Sequence, residues 1–193
     1  TVTIVLISVL MIYGLTLVNQ IFSSNTKFEE NETYVYIPTD SDYEAVKKIV
    51  APYVEDMERF DAVANKKKYP SNVKPGKFLF KKGMNSNELI NALRINNEVK
   101  LSFNNQERLE DFAGRIGSEI EADSVSLLKA IKDSTFLKEN GFSEENVLTM
   151  FIPNTYELYW NTTATKFRDK MIKEYRNYWN QERIAKAKAQ GLT

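Results

Sequence analysis

Residues 75–103 read PGKFLFKKGMNSNELINALRINNEVKLSF, and the changes of period along this stretch decide the fold class. After the Pro75-Gly76 turn, Gly76-Lys77-Phe78-Leu79-Phe80 reads as a strand. Asn85, followed three residues later by Glu88, has the spacing of a capping box, in which each side chain takes a backbone N–H that the helix start leaves free. The helix so begun carries Leu89, Ile90 and Leu93. Val99, Leu101 and Phe103 then alternate with polar residues, the period of a strand with one buried face. Strand, helix and strand in so short a space predict an α+β fold.

Upstream the pattern extends. Tyr34-Val35-Tyr36-Ile37 is β-rich and stops at Pro38. Ser41 and Glu44 have capping-box spacing ahead of Tyr43, Val46, Ile49 and Val50, and Met57, Phe60, Val63 and Ala64 follow at helical spacing beyond Pro52. Residues 32–103 are thus expected to form one small module of strand, two helices, strand, helix, strand. Lys66, Lys67, Lys68, Lys74, Lys77, Lys81 and Lys82 fall in one segment without an acidic residue. They suit an anionic polymer or membrane headgroups, or form a solvated rim balanced by Glu55, Asp56, Glu58 and Asp61 upstream.

Downstream, residues 104–193 read as mostly helical. Leu109, Phe112, Ala113, Ile116 and Ile120 mark a helix from about Glu107 to Ala122, and Val125, Leu127, Leu128 and Ile131 a second that ends near Asp133. Gly141-Phe142-Ser143 breaks the chain, and Ser143 can cap a short helix. Thr149 to Pro153 is expected to be extended, because the residue before a proline is pushed out of the helical region. A long helix starts near Thr163 or Ala164 with Phe167, Met171, Tyr175 and Tyr178/Trp179 on one face, and a short one runs from Gln181 to Gln190. Between lies Pro153-Asn154-Thr155-Tyr156-Glu157-Leu158-Tyr159-Trp160-Asn161. It reads either as a helix-entry loop packed into the core or as a sugar-binding segment. In the second case aromatic faces stack on sugar C–H groups while amide and carboxylate take the hydroxyls.

The composition narrows the chemistry. Among 193 residues are 26 basic and 26 acidic side chains, with no His and no Cys. A disulfide framework, a Cys/His zinc site and any Ser-His-Asp or Cys-His arrangement are therefore excluded within the chain. Acid/base work falls to carboxylates, Lys or Tyr. A formal charge of zero argues against a dedicated nucleic-acid binder.

No charged residue precedes Lys27, and Val2–Val18 reads VTIVLISVLMIYGLTLV. Residues 1–22 would span roughly 30 Å as a helix, so a retained single-pass anchor is expected there. Residues 23–31 are expected to form a polar, mostly structureless stalk. The chain starts at Thr rather than Met, and Thr193 would suit the N-cap of a further helix after Gly191, so it reads as a fragment.

The order of these elements resembles the membrane-anchored endolytic murein transglycosylases (the MltG, or YceG-like, family), in which an anchor precedes a LysM-like subdomain and a catalytic domain. The resemblance is carried by Tyr36-Ile37-Pro38, Ser41 to Glu44, Pro75-Gly76-Lys77-Phe78, Gly83-Met84-Asn85-Ser86-Asn87-Glu88-Leu89, Pro153-Asn154-Thr155-Tyr156 and Trp160-Asn161-Thr162. The last groups are similar to the family's FPDTY stretch and its sequel. Two departures stand out: Leu148-Thr149 where the family usually has Glu-Gly, and Asn154 for its Asp.

The resemblance implies a non-hydrolytic cleavage of the MurNAc–GlcNAc bond in peptidoglycan, giving 1,6-anhydro ends without metal or cofactor. Its catalytic Glu sits on a helix bearing an ASIxExE-type motif, which this chain lacks, so the acid is expected after Thr193 and the fragment alone is expected to be inactive. Asn154, Tyr156 and Glu157 are the candidates for lining the glycan groove, Glu157 being the one carboxylate in that segment. Glycan strands, the bacterial inner membrane and cell-wall synthesis enzymes are the implied partners, with the soluble part extracytoplasmic and no nucleic acid. The competing expectation is a non-catalytic, membrane-tethered wall-binding adaptor.

Overall fold

The structure, a computed structural model, describes residues 22–192. The expected anchor, Phe22 excepted, lies outside the described residues, and among those residues no helix is long and apolar enough to cross a membrane. The fold is α+β: the described residues form eight α-helices and two two-stranded antiparallel sheets. They divide into two compact units, one ending at Asn97 and the next starting at Glu98.

The first unit runs β1 (Glu32–Ile37), α1 (Tyr43–Val50), α2 (Met57–Lys66), β2 (Gly76–Lys81) and α3 (Ser86–Ala92). β1 and β2 pair with Val35 opposite Phe78 and Tyr34 opposite Leu79. Alternation sends Val35, Ile37, Phe78 and Phe80 inward onto Val46, Val50, Phe60, Leu89 and Ile90, all buried. The predicted capping box of α3 is present: Glu88 N–H donates to Asn85 Oδ1 at 3.0 Å, and Asn85 N–H donates to Glu88 Oε2 at 2.9 Å. The start of α1 differs from the Ser41 expectation by one residue. Asp42 is the N-cap, accepting from Ala45 N–H at 2.8 Å. An ionised carboxylate at the positive helix end is the stronger acceptor.

Residues 23–31 are not a structureless stalk. Asn25 N–H donates to the Met84 carbonyl at 2.8 Å, Glu55 N–H to the Asn25 carbonyl at 3.1 Å, and Lys27 N–H to the Tyr53 carbonyl at 3.1 Å. Short bridges pair Ser24 with Asn85 and Thr26 with Val54. Asn25 is fully buried because its carboxamide is matched on every side by polar groups of the unit. Polar composition reads as linker, yet here polar groups dock it.

The second unit runs β3 (Glu98–Phe103), α4 (Leu109–Gly117), α5 (Ser124–Ile131), α6 (Ser134–Asn140), a 3-10 turn (Val147–Met150), β4 (Asn154–Tyr159), α7 (Ala164–Tyr178) and α8 (Gln181–Ala189). β3 was expected to complete the first module, but it pairs antiparallel with β4, with Leu101 opposite Tyr156 and Lys100 opposite Glu157. The stretch for which a helix-entry loop was one of two readings is therefore a strand, and the units divide ahead of β3 rather than after Phe103. The 3-10 turn occupies part of the segment expected to be extended, α4 stops at Gly117 rather than Ala122, and α6 is an additional helix between Asp133 and Gly141. α7 starts at Ala164 as expected, and Thr163 is its N-cap.

Aromatic rings fill the core of this unit. Phe112 lies 4.1 Å from Phe151 and 5.0 Å from Phe103 between ring centroids, and Phe151 stacks on Phe167 at 6.1 Å. Such pairs add about 0.5–1.5 kcal/mol beyond the area they bury.

Candidate functional site

Period-two alternation gives the β3–β4 sheet a dry face and a wet one. Val99, Leu101, Phe103, Tyr156 and Leu158 point into the core. Lys100, Ser102, Thr155 and Glu157 point out, and α7 runs alongside with Lys170 and Glu174. Lys100, Thr155 and Glu157 border, with Lys170 and Glu174, an open groove of about 590 Å³ that Asn154 and Tyr156 also line.

Each of the three sequence candidates takes a different place. Asn154 starts β4 and is exposed, its Oδ1 accepting the Thr155 N–H at 2.8 Å. Tyr156 is buried, its ring stacked on Phe103 at 5.3 Å and its hydroxyl donating to the Ile152 carbonyl at 2.5 Å. Burial, with the Glu174 carboxylate as a second cause, holds the Tyr156 phenol above its ordinary pKa, so the hydroxyl stays neutral. Glu157 is exposed, its carboxylate 4.0 Å from Lys100 Nζ and its carbonyl accepting from Lys170 Nζ at 2.6 Å. An open carboxylate beside an ammonium is a surface ion pair rather than the secluded carboxyl that protonates a leaving group.

The groove holds more than the sequence reading picked out. Glu98 and Lys100 share the outer face with Glu157, while Lys170 and Glu174 stand one turn apart on α7. Ser102 and Thr155 pair across the strands through their hydroxyls at 3.3 Å. The signal was the alternation of Glu98, Lys100 and Ser102 with Val99, Leu101 and Phe103, which marks a polar face as surely as a buried one. Three carboxylates, two ammoniums and the Thr155 hydroxyl can donate to and accept from a ligand rich in hydroxyl and amide groups. Among the described residues no cluster of acidic side chains is placed to hold a metal ion.

A second cleft of about 270 Å³ borders the same end of the sheet, since Phe103, which lines it, is the register partner of Asn154. Its floor is made by Phe103, Phe112 and Phe151 and its rim by Asn104, Asn105 and Gln106. Leu148 and Thr149, the positions departing from the Glu-Gly pattern, also line it.

Three lysines of the seven-lysine segment take separate partners. Lys67 Nζ donates to Asn91 Oδ1 at 2.6 Å, Lys77 Nζ sits 3.9 Å over the Tyr34 ring, and Lys82 pairs with Glu29 at 2.9 Å.

A family model described as the YceG-like family matches residues 35–193. Among solved structures, the chain is similar to the crystal structure of a yceG-like protein, lmo1499, from Listeria monocytogenes, at 16% identity and a TM-score of 0.47. That match covers 85% of this chain and 60% of the Listeria chain, so the chain spans about three fifths of that relative's length. No curated protein matches it.

Proposed function

The chain belongs to the YceG-like family, and from that premise we propose that it forms the anchored, substrate-orienting part of an endolytic peptidoglycan transglycosylase. The observation that carries the reading is the family match across residues 35–193, which takes in the first unit from Val35 onward and all of the second. In keeping with it, the first unit is a small α+β module of order β-α-α-β-α where a LysM-like subdomain is expected, and the second offers an open polar groove with no secluded carboxyl of its own.

The reaction divides between two parts of the protein. A carboxyl group beyond Thr193, kept protonated, donates to the glycosidic oxygen of the MurNAc–GlcNAc bond as C1 takes on oxocarbenium character. The resulting carboxylate then takes the proton of the C6 hydroxyl, whose oxygen closes onto C1 and forms the 1,6-anhydro ring without a water nucleophile. The residues of this chain hold the strand. Lys100, Ser102, Thr155 and Glu157 present donors and acceptors on a rigid sheet face, and Lys170 fixes the β4 backbone at Glu157. An anchor over residues 1–22 keeps both units at the outer face of the cytoplasmic membrane, beside newly made strands.

The test compares two polypeptides on isolated glycan strands by mass spectrometry, one ending at Thr193 and one continuing to the natural C-terminus. Both should begin no later than Phe22, since Ser23–Phe28 is built into the first unit. The reading expects 1,6-anhydro products from the longer polypeptide only. Glycan binding without product from either would overturn it in favour of a wall-binding adaptor.

A further inference from the structure

The outer edge of β2 has one opening. In an antiparallel pair, alternate residues turn their N–H and C=O toward the partner strand or away from it. Lys77 turns both away from β1, because its N–H donates to Asn96 Oδ1 at 3.0 Å and its carbonyl accepts from Asn97 N–H at 2.8 Å. Lys81, four residues on, does the same: its N–H donates to Met84 Sδ at 3.3 Å and its carbonyl accepts from Met84 N–H at 3.2 Å. Leu79 stands between them in the same phase, opposite Tyr34. Its N–H and C=O therefore also leave the sheet, and among the described residues no hydrogen bond reaches them on that side. They open onto a cleft of about 330 Å³ between β2 and α3, with Met84, Ala92 and Ile95 as apolar walls.

We propose that this slot binds one residue of an extended peptide ending in a free carboxylate. A strand residue presents N–H and C=O side by side, and only an aminoacyl residue offers the matching C=O and N–H on one edge. A trans secondary amide, such as the N-acetyl group of a sugar, points the two in opposite directions and satisfies one at most. Lys77 and Lys81 close the edge on either side, so the slot takes a single residue, too little for strand exchange with a folded protein. The walls and volume suit a small apolar side chain. Lys81 and Glu88 are the charged side chains that line the cleft. Glu88 is committed to the α3 capping box, while Lys81 has no ion pair among the described residues, which favours an anion. A peptide stem of the wall supplies this chemistry, and in naming that source the proposal rests on the transglycosylase reading.

The test is amide NMR of the chain titrated with N-acetyl-L-Lys-D-Ala-D-Ala, with its C-terminal amide and with a peptide-free N-acetylglucosamine oligomer. The acid should shift the Leu79 and Ile95 amides, with the C-terminal amide and Lys81→Gln each weakening binding about tenfold. Leu79→Pro, which deletes the outward N–H, should abolish it. Ile95→Glu changes an exposed wall and leaves the ladder alone, so it should give the same loss in a chain that folds. No shift at Leu79 with the peptide, or an equal shift with the sugar oligomer, overturns the proposal. No peptide binding by the unsubstituted chain while the longer polypeptide releases 1,6-anhydro ends overturns this proposal alone; peptide binding at Leu79 without such ends overturns the transglycosylase reading alone.

Discussion

Asn25 donates its carboxamide N–H to the Ser86 hydroxyl at 2.8 Å, tying the segment that follows the N-terminal apolar run to the first turn of α3. The same carboxamide donates to the Asp56 carbonyl at 2.9 Å and accepts the Asp56 N–H at 2.7 Å. Asn25→Ala would leave buried partners unmatched, at about 1–3 kcal/mol for each such group. A loss of about 2–4 kcal/mol in urea unfolding is expected. Asn25→Asp should be no better, since its oxygen would face the Asp56 carbonyl.

Gly76 makes a second close approach. With φ of +147°, a Cβ here would lie 2.3 Å from Asn96 Oδ1, the acceptor of the Lys77 N–H. Gly76→Ala combines a backbone strain of about 1–3 kcal/mol with eviction of that amide. Thermal unfolding should show the midpoint falling by several degrees or more, whereas Gly114→Ala, at a helical site with no atom within reach, should raise it slightly.

Tyr69 predicts an alkaline limit to stability. Its side chain is fully buried and its hydroxyl has no hydrogen-bond partner among the described residues. Burial pushes its phenol up from near 10 to about 12, with Arg94 pulling weakly the other way. Above pH 10 the unfolded chain releases this proton while the folded chain keeps it. The contribution is thus whole below pH 10 and falls away as pH rises toward about 12, by about 1.4 kcal/mol per unit at most. Tyr69→Phe should be neutral or stabilising at pH 7 and should flatten the decline, as read by urea midpoints at pH 7 and 11.

Glu157 and Tyr156 should separate in a glycan-binding assay. Glu157→Gln removes one exposed, 4.0 Å ion pair, so stability should move by less than about 0.5 kcal/mol. Affinity for glycan strands should fall by up to about tenfold if the carboxylate takes a sugar hydroxyl. Tyr156→Phe removes the bond to Ile152 and should cost about 0.5–1.5 kcal/mol of stability with affinity unchanged. The reverse pattern would make Tyr156 the ligand contact.

Much of the fold is written in local patterns. The Asn85–Glu88 capping box, the alternation in β2 and β3 and the Thr163 start of α7 each depend on residues a few positions apart. What stayed hidden depends on distant partners. Asn25 is buried only because Met84, Asp56 and Ser86 come to it, and nothing in NQIFSSNTKFEEN announces that. The partner of β3 lies some fifty residues away at β4, whose own period was visible in Tyr156 and Leu158 but was masked by the flanking polar and aromatic residues. The segment bearing Asn154, Tyr156 and Glu157 stood out for its chemistry, yet only strand geometry separates the buried Tyr156 from the exposed Glu157.

The most direct test of the central claim is digestion of peptidoglycan by the naturally extended polypeptide in heavy-oxygen water, followed by mass spectrometry of the new glycan ends. An intramolecular closure through the C6 hydroxyl predicts ends lighter by one water and free of the heavy label. Ends that carry one heavy oxygen would mean hydrolysis and would contradict the account.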